Sequence, residues 1–422
     1  MVKFKLVSII LLLFSTTSWS QDSLYTRKVI KELTSEDYNG RGYVQNGDKK
    51  TAEFLRKQFQ NFGLKPLGDN YFQDFVFPVN TFPGCMEVKI NDQQLVPGQD
   101  FIVDPGAPSI SGTYKIFILN KTVSNFEGID FNHSFLVIDT LNNEGSYQSE
   151  ELVSWMKNPS KGAGIIYLEE KKLTWSVETA QNKIPGLRIL RNAFPKNASK
   201  ITVSICSKFE KAHKTQNVVG YIPGNGMADS LLVVTAHYDH LGRMGSKTYF
   251  PGANDNASGI SMLLNLAKYY AMPEHRQRYS MVFICFAGEE AGLIGSHFFT
   301  EYPLFPLHKI RFLLNLDLLG TGDDGMMVVN GVVYEKEYEV LISLNEKNHY
   351  LPSIGKRGKA SNSDHYFFTE KGVPAFFCYT TGGIAAYHDI YDKESTLPLT
   401  RYKEAFHLFC DFLNQLDDVS QN

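Results

Sequence analysis

Leu231 to His240 read LLVVTAHYDH, an apolar and β-branched run that stops at His237, Asp239 and His240. The design recurs downstream. Met281 to Glu290 read MVFICFAGEE and close on Glu289 and Glu290, while Phe312 to Gly320 read FLLNLDLLG, with Asp317 where the apolar run ends. Between the first two lies PGANDNASG, Pro251 to Gly259, with Asp255 just ahead of an amphipathic helical pattern marked by Ile260, Leu263, Leu264 and Ala267. Much later, AAYHDIYD supplies His388. Short apolar runs of this kind predict buried strands. In open α/β sheets ligands bind at the carboxyl ends of the strands, and that is where the ionisable residues fall. The pattern predicts a metal site.

Working outward, strands and helices alternate from about Gln216 to the end. NVVGYI, the runs quoted above, MMVVNG and PAFFCY read as strands, and helices are predicted after Asp255, from Ala291, over Glu335 to Asn348 and over Tyr402 to Leu416. Such alternation argues an α/β fold with a mixed, largely parallel sheet and helices on both faces. Upstream, Leu24 to about Tyr71 looks helical. Ala52, Leu55, Phe59 and Phe62 mark one face and Gly63 is the C-cap, with the GRG of Gly40 to Gly42 as a turn. From about Val79 the character changes to short β-rich runs, among them MEVKI, TYKIFIL, FLVID, GAGIIYL and KITVSI, punctuated by Pro, Gly and Asn. None carries a cluster of ligands. The expected division is a signal peptide over 1–20, a metal-bearing domain over 21–78 and 213–422, and an inserted β-rich domain over 79–212.

Composition sets the outer bounds. A chain of 422 residues is too long for one ordinary domain, and 43% hydrophobic with 21% charged residues suits a globular protein with a large core. A net charge of −3 with no basic run argues against nucleic acid or a membrane surface as partner. Lys3 and Lys5, the apolar Leu6 to Phe14 and the small residues around Ser18 to Ser20 read as a targeting segment. The apolar part is too short to span a bilayer, so the expectation is a protein exported to the periplasm or extracellular space. Of five cysteines, Cys285, Cys378 and Cys410 read as buried hydrophobes, and Cys85 with Cys206, flanking the β-rich region, could pair. The sequons at Asn120, Asn132, Asn197 and Asn256 read as coincidence, because a glycan beside Asp255 would block the site.

Imidazole nitrogen and carboxylate oxygen both suit Zn²⁺. His237, Asp255, Glu290, Asp317 and His388 make too many ligands for one catalytic zinc that keeps an open position. If Asp255 bridges with both oxygens, each of two ions gains three protein groups and room for water. The charges agree, since two Zn²⁺ are offset by three carboxylates and one shared hydroxide. Two ions roughly 3.5–4 Å apart activate that water and clamp a tetrahedral intermediate. Glu289 is then left over. Adjacent strand-end residues point to opposite sides, so Glu290 can bind metal while Glu289 accepts the water's proton and passes it to a leaving amine. Asp239 is placed to hold the other nitrogen of His237 and fix its tautomer.

HYDHLG, GANDNASG, FAGEEAGLIGS, NLDLLG, SDHYFF and YHDIYD, in that order, resemble the di-zinc exopeptidase family of secreted aminopeptidases and related carboxypeptidases. The resemblance covers roughly Gln216 onward, with LTSEDYNGRG and FGLKPLG near the N-terminus. It implies one zinc held by His237, Asp255 and Asp317, a second by Asp255, Glu290 and His388, Glu289 as base and a cis peptide after Asp255. Peptides are the implied substrates, and the expected activity is that of an aminopeptidase, although loops and not these motifs decide which end is cut. The β-rich insert is similar in position to a protease-associated domain. NDN departs from the two consecutive acids of many relatives, which alters the residue after the bridge and leaves the bridge itself.

Blander roles compete at each position. A lone strand-end His or Asp is usually a cap or a solvated turn, a Glu-Glu pair usually a wet helix start, and Lys356, Arg357 and Lys359 a solvated loop. His240 and His365 fit equally as supports that hold a ligand from behind and as exposed residues. Only the ordered set outweighs these readings. Two other functions stand beside the peptidase: a glutaminyl cyclase-like acyltransferase with one working zinc, and a metal-free binding module. The second would have lost ligands, and none is missing here.

Overall fold

The computed structural model describes residues 22–119, 133–139 and 163–418. The predicted signal peptide and the sequons at Asn120 and Asn132 lie outside them. No helix among the described residues is long and apolar enough to cross a membrane.

A mixed sheet forms the main body. Its spatial order is Lys65–Pro66, Lys208–Ile222, Ser280–Phe286, Leu231–His237, Ile310–Leu316, Ala375–Thr381, Gly325–Val329 and Ile354–Arg357, with Phe72–Thr81 paired on Lys208–Ile222. The four strands Ser280–Phe286, Leu231–His237, Ile310–Leu316 and Ala375–Thr381 run parallel at its centre, and antiparallel partners flank them. Every residue of Leu231–His237 and Ser280–Phe286 is buried, as expected of strands covered on both faces. One core cluster joins Val234, Phe283, Leu314 and Phe376 to Ile260 and Leu263 and to Phe409 and Phe412 of the helix Tyr402–Asp418. A second lies on the opposite face, with Val233, Ile284, Leu313, Phe299 and Phe368. Burial of these side chains contributes roughly 1.5–3 kcal/mol each.

Helix ends follow the sequence closely at Gly63, which caps Gly47–Phe62 in the left-handed region at φ 79°. They depart from it after Glu290. The helix starts at Ile294, not Ala291, because Gly292 and Leu293 both adopt positive φ and hold the chain in a turn.

A second sheet of eight strands runs from Met86 to Ile205, with its own core around Val88, Phe101, Phe135, Leu187 and Ile201. Leu241, Met244 and Phe250, from the loop after His240, pack into that core. Cys85 and Cys206 are disulfide-bonded at its base. The expected boundaries at 79 and 212 fall inside the paired strands Phe72–Thr81 and Lys208–Ile222, a continuous ribbon that leads from one sheet to the other.

Candidate metal centre

The carboxyl ends of the central strands converge as the sequence implied. His237 ends its strand, and its Nε2 lies 3.4 Å from Asp255 Oδ1 and 3.4 Å from Asp317 Oδ1. His388 Nε2 lies 3.0 Å from Asp255 Oδ2 and 3.1 Å from Glu290 Oε2. The two oxygens of Asp255 thus face two different imidazoles. Two ligand-type groups share this residue, His237 with Asp255 and Asp317, and His240 with Asp255 and Glu290. Glu289 stands nearby, its Oε2 4.0 Å from His237 Nε2. The Asp255–Asn256 peptide is cis.

Several residues outside this set position it, and sequence reasoning missed them. Arg41, in the GRG stretch read as a turn, is fully buried. Its guanidinium donates to the carbonyls of Leu33, Tyr238, Pro251, Gly252 and Asp255 at 2.6–3.2 Å. One side chain therefore ties the His237 loop to the Asp255 loop. The flanking glycines permit the approach, since a Cβ on Gly42 would collide with Gly242. Asp392, the last residue of the YHDIYD motif, accepts from the N–H groups of Asn254 and Asp255 at 2.8–3.0 Å. That motif carried the signal, but only its histidine was read.

The expected contact between Asp239 and His237 is different in the structure. His237 Nδ1 lies 3.2 Å from the backbone carbonyl of Asp239 and 3.8 Å from its carboxylate. The carboxylate turns instead to the Tyr43 hydroxyl at 2.6 Å and to the N–H groups of Glu289 and Glu290 at 3.2 and 3.3 Å. Those three donors outcompete one imidazole. His240 and His365 are both fully buried. His240 Nδ1 sits 2.6 Å from Glu290 Oε1, and the His365 ring packs on Phe377 at 5.4 Å between centroids.

Burial opposes ionisation throughout. It drives the Glu289 carboxyl well above the usual carboxylate range, with His237 opposing and Asp364, Glu290 and Asp317 reinforcing. Asp255 feels the same desolvation, yet hydrogen bonds from His237 and His388 hold it well below that range. Desolvation would lower His388, but Glu290 and Asp255 raise it to about 11. Burial lifts Asp364 to about 7. So many buried carboxylates, with His237 at 3.4 Å the one cationic group against Asp317 Oδ1 among the described residues, carry a desolvation cost that a cation offsets. The donor set is that of a zinc-type centre. It opens on a cavity of about 230 Å³, walled by Leu318, Phe377, Tyr379 and Tyr387, with Arg357 and Asn362 at its rim.

Residues 217–413 match the family model described as Peptidase family M28. A probable zinc metalloprotease of Pyricularia oryzae is 34% identical over 125 residues, which is 29% of this chain and 24% of that protein. Aminopeptidase YwaD of Bacillus subtilis is 29% identical, over 38% of this chain and 34% of that protein. A probable leucine aminopeptidase of Arthroderma otae is 27% identical over 49% and 55%. This chain thus spans about a quarter to about half the length of these relatives. Among solved structures, a zinc aminopeptidase from Bacillus subtilis superposes with a TM-score of 0.68 at 19% identity, covering 93% of this chain and 94% of that one. An aminopeptidase from Aneurinibacillus sp. strain AM-1 gives 0.62 at 17% identity, with 94% of each chain covered. These likenesses show the fold.

Proposed function

We propose that this chain is a zinc-dependent aminopeptidase that removes residues from the free amino end of peptides. The observation that carries the reading is Asp255, whose two oxygens lie 3.4 and 3.0 Å from the imidazoles of His237 and His388. That arrangement suits a carboxylate shared by two cations. His237, Asp255 and Asp317 would hold one zinc, and Asp255, Glu290 and His388 the other. His240 is reserved for orienting Glu290 through its other oxygen. Zinc held by these residues would supply a water of lowered pKa and would polarise the scissile carbonyl.

The protein's own groups do the rest. The cavity admits the terminal residue, and its apolar walls exclude water. Glu289 is held beside His237 without being committed to the ligand set, and burial raises its proton affinity. It accepts a proton from the attacking water and returns it to the departing amine nitrogen. Asp239 fixes the backbone of Glu289 and Glu290, so base and ligand keep their register.

The relatives named above are described as proteases and aminopeptidases, which does not favour the cyclase alternative. The charged and apolar N-terminus supports reading the protein as exported, and we read the eight-stranded sheet, taken as a domain over 79–212, as a counterpart of a protease-associated domain. The experiment is hydrolysis of a free-amine peptide beside its N-acetylated and C-amidated forms, with and without chelator. Cleavage restricted to free amines and abolished by chelation is expected. Cleavage of the acetylated peptide alone would reject the aminopeptidase assignment.

A further inference from the structure

The rim of the cavity carries a cation, Arg357, that has no ion-pair partner among the described residues. Lys356, Arg357 and Lys359 lie on and just after the strand Ile354–Arg357. Lys356 pairs with Glu335 at 3.3 Å, and Lys359 pairs with Glu370. Arg357, between them, makes no ion pair among the described residues. Its Nη1 donates instead to the hydroxyl of Tyr379 at 3.1 Å. That bond fixes the guanidinium, leaves its other N–H groups free and leaves the Tyr379 proton free to donate.

Strand register explains why this group meets the cavity. Phe377 pairs with Val329, and Val329 with Arg357, so the three form one row across the edge of the main sheet. Side chains in such a row project from the same face. Tyr379, two residues from Phe377, shares that face. Arg357 therefore stands two strand spacings from Phe377, on the order of 10 Å. All three line the cavity that His237, Asp317 and His388 close at the other end. One end presents the candidate metal centre, and the other presents two fixed donors with one positive charge.

We propose that Arg357 and Tyr379 form a carboxylate-recognising end of the cavity. The favoured substrate then carries a carboxylate within about one residue of the scissile bond. It comes either from an acidic side chain on the terminal residue or from the free carboxyl end of a very short peptide. This rests on the aminopeptidase reading and specifies its substrate class. A planar guanidinium backed by a phenol matches a carboxylate in geometry as well as charge.

The test uses the zinc-loaded full chain and Arg357→Gln. Glu-p-nitroanilide against Gln-p-nitroanilide isolates a side-chain carboxylate, and Leu-Gly against Leu-glycinamide isolates a terminal one. Leu-p-nitroanilide reports the catalytic centre alone. In the wild type one of the two pairs should favour the carboxylate by about tenfold or more in kcat/KM. Arg357→Gln should bring that ratio to within about twofold, with the larger fall in kcat/KM on the carboxylate substrate and the smaller on Leu-p-nitroanilide. The pair that responds identifies the source of the carboxylate. No preference in either wild-type pair, or a preference that survives Arg357→Gln, overturns the proposal. If the wild type cleaves no free-amine substrate, the aminopeptidase reading falls. Calorimetric binding of L-glutamate against L-glutamine then decides the role of Arg357, and equal affinities in wild type and variant overturn it.

Discussion

His388 and Trp175 clasp each other through their backbones and one ring nitrogen. His388 Nδ1 lies 3.0 Å from the carbonyl of Trp175, whose N–H donates to the carbonyl of His388 at 2.9 Å. Trp175 follows the second sheet's strand Gly164–Glu169 and is anchored there, its indole stacked on Phe250 and donating to the Val103 carbonyl at 2.7 Å. Nearby, Lys172 binds Asp389 at 3.0 Å. A carbonyl at Nδ1 makes that nitrogen the donor and frees Nε2 for the metal side. The second sheet is thus a structural part of the site, beyond any role at its entrance.

Trp175→Ala tests that dependence. Zinc affinity on the His388 side should fall by about 10–100-fold, while the side built from His237 and Asp317 keeps its ion. Because losing a buried Trp costs roughly 3–5 kcal/mol, Trp175→Phe is the gentler companion and should show a smaller loss at the same ion. Metal titration of the stripped protein reads both. Unchanged affinities at both ions would remove the second sheet from the account of the site.

Glu289→Gln should retain the full metal content, since the amide displaces no ligand, and lower turnover by on the order of 10² or more. Zinc analysis alongside hydrolysis of an unblocked peptide separates the two effects. Loss of zinc would make Glu289 a ligand, and near-normal turnover would remove it from proton transfer.

Arg41→Lys keeps the charge and abolishes the fork that reaches five carbonyls. Several buried acceptors would lose their donor at once, so stability in urea should drop by roughly 3 kcal/mol or more. A change under about 0.5 kcal/mol would show that the two loops hold together without Arg41.

These outcomes bear on what a sequence discloses. His237, Glu290 and Asp317 were legible as candidate ligands because each follows a strong apolar run, Asp255 because it precedes an amphipathic one, and His388 only through its YHDIYD motif. The parallel centre of the sheet followed from the same runs. Arg41 and Trp175 were not legible, since both act on backbone groups some two hundred residues away and any sequence supplies carbonyls. Asp239 was misread for a related reason. Proximity in sequence to His237 suggested a carboxylate–imidazole bond, but the Tyr43 hydroxyl and the N–H groups of the turn after the neighbouring strand claimed the carboxylate. The helix after Glu290 began late because the positive φ of Leu293 leaves no compositional trace.

His365 gives a dependence on pH. Burial pushes its pKa down from 6.5 to about 4. A depressed folded-state value means that the stability it permits is present above 6.5 and is lost as pH falls toward 4. For this fully buried ring that loss is about 3 kcal/mol. His365→Gln in metal-free protein should therefore flatten the decline in stability between pH 7 and pH 4. An identical decline in wild type and variant would place the acid sensitivity elsewhere.

The proposed two-metal arrangement turns on Asp255, the carboxylate of the set that faces the imidazoles of both His237 and His388. Zinc bound per chain, measured in purified wild type and in Asp255→Ala, tests it most directly. The expected result is about two ions in the wild type and weakening of both together in the variant, without rescue by modest added zinc. One ion in the wild type, or one ion held tightly by Asp255→Ala, would contradict the shared carboxylate.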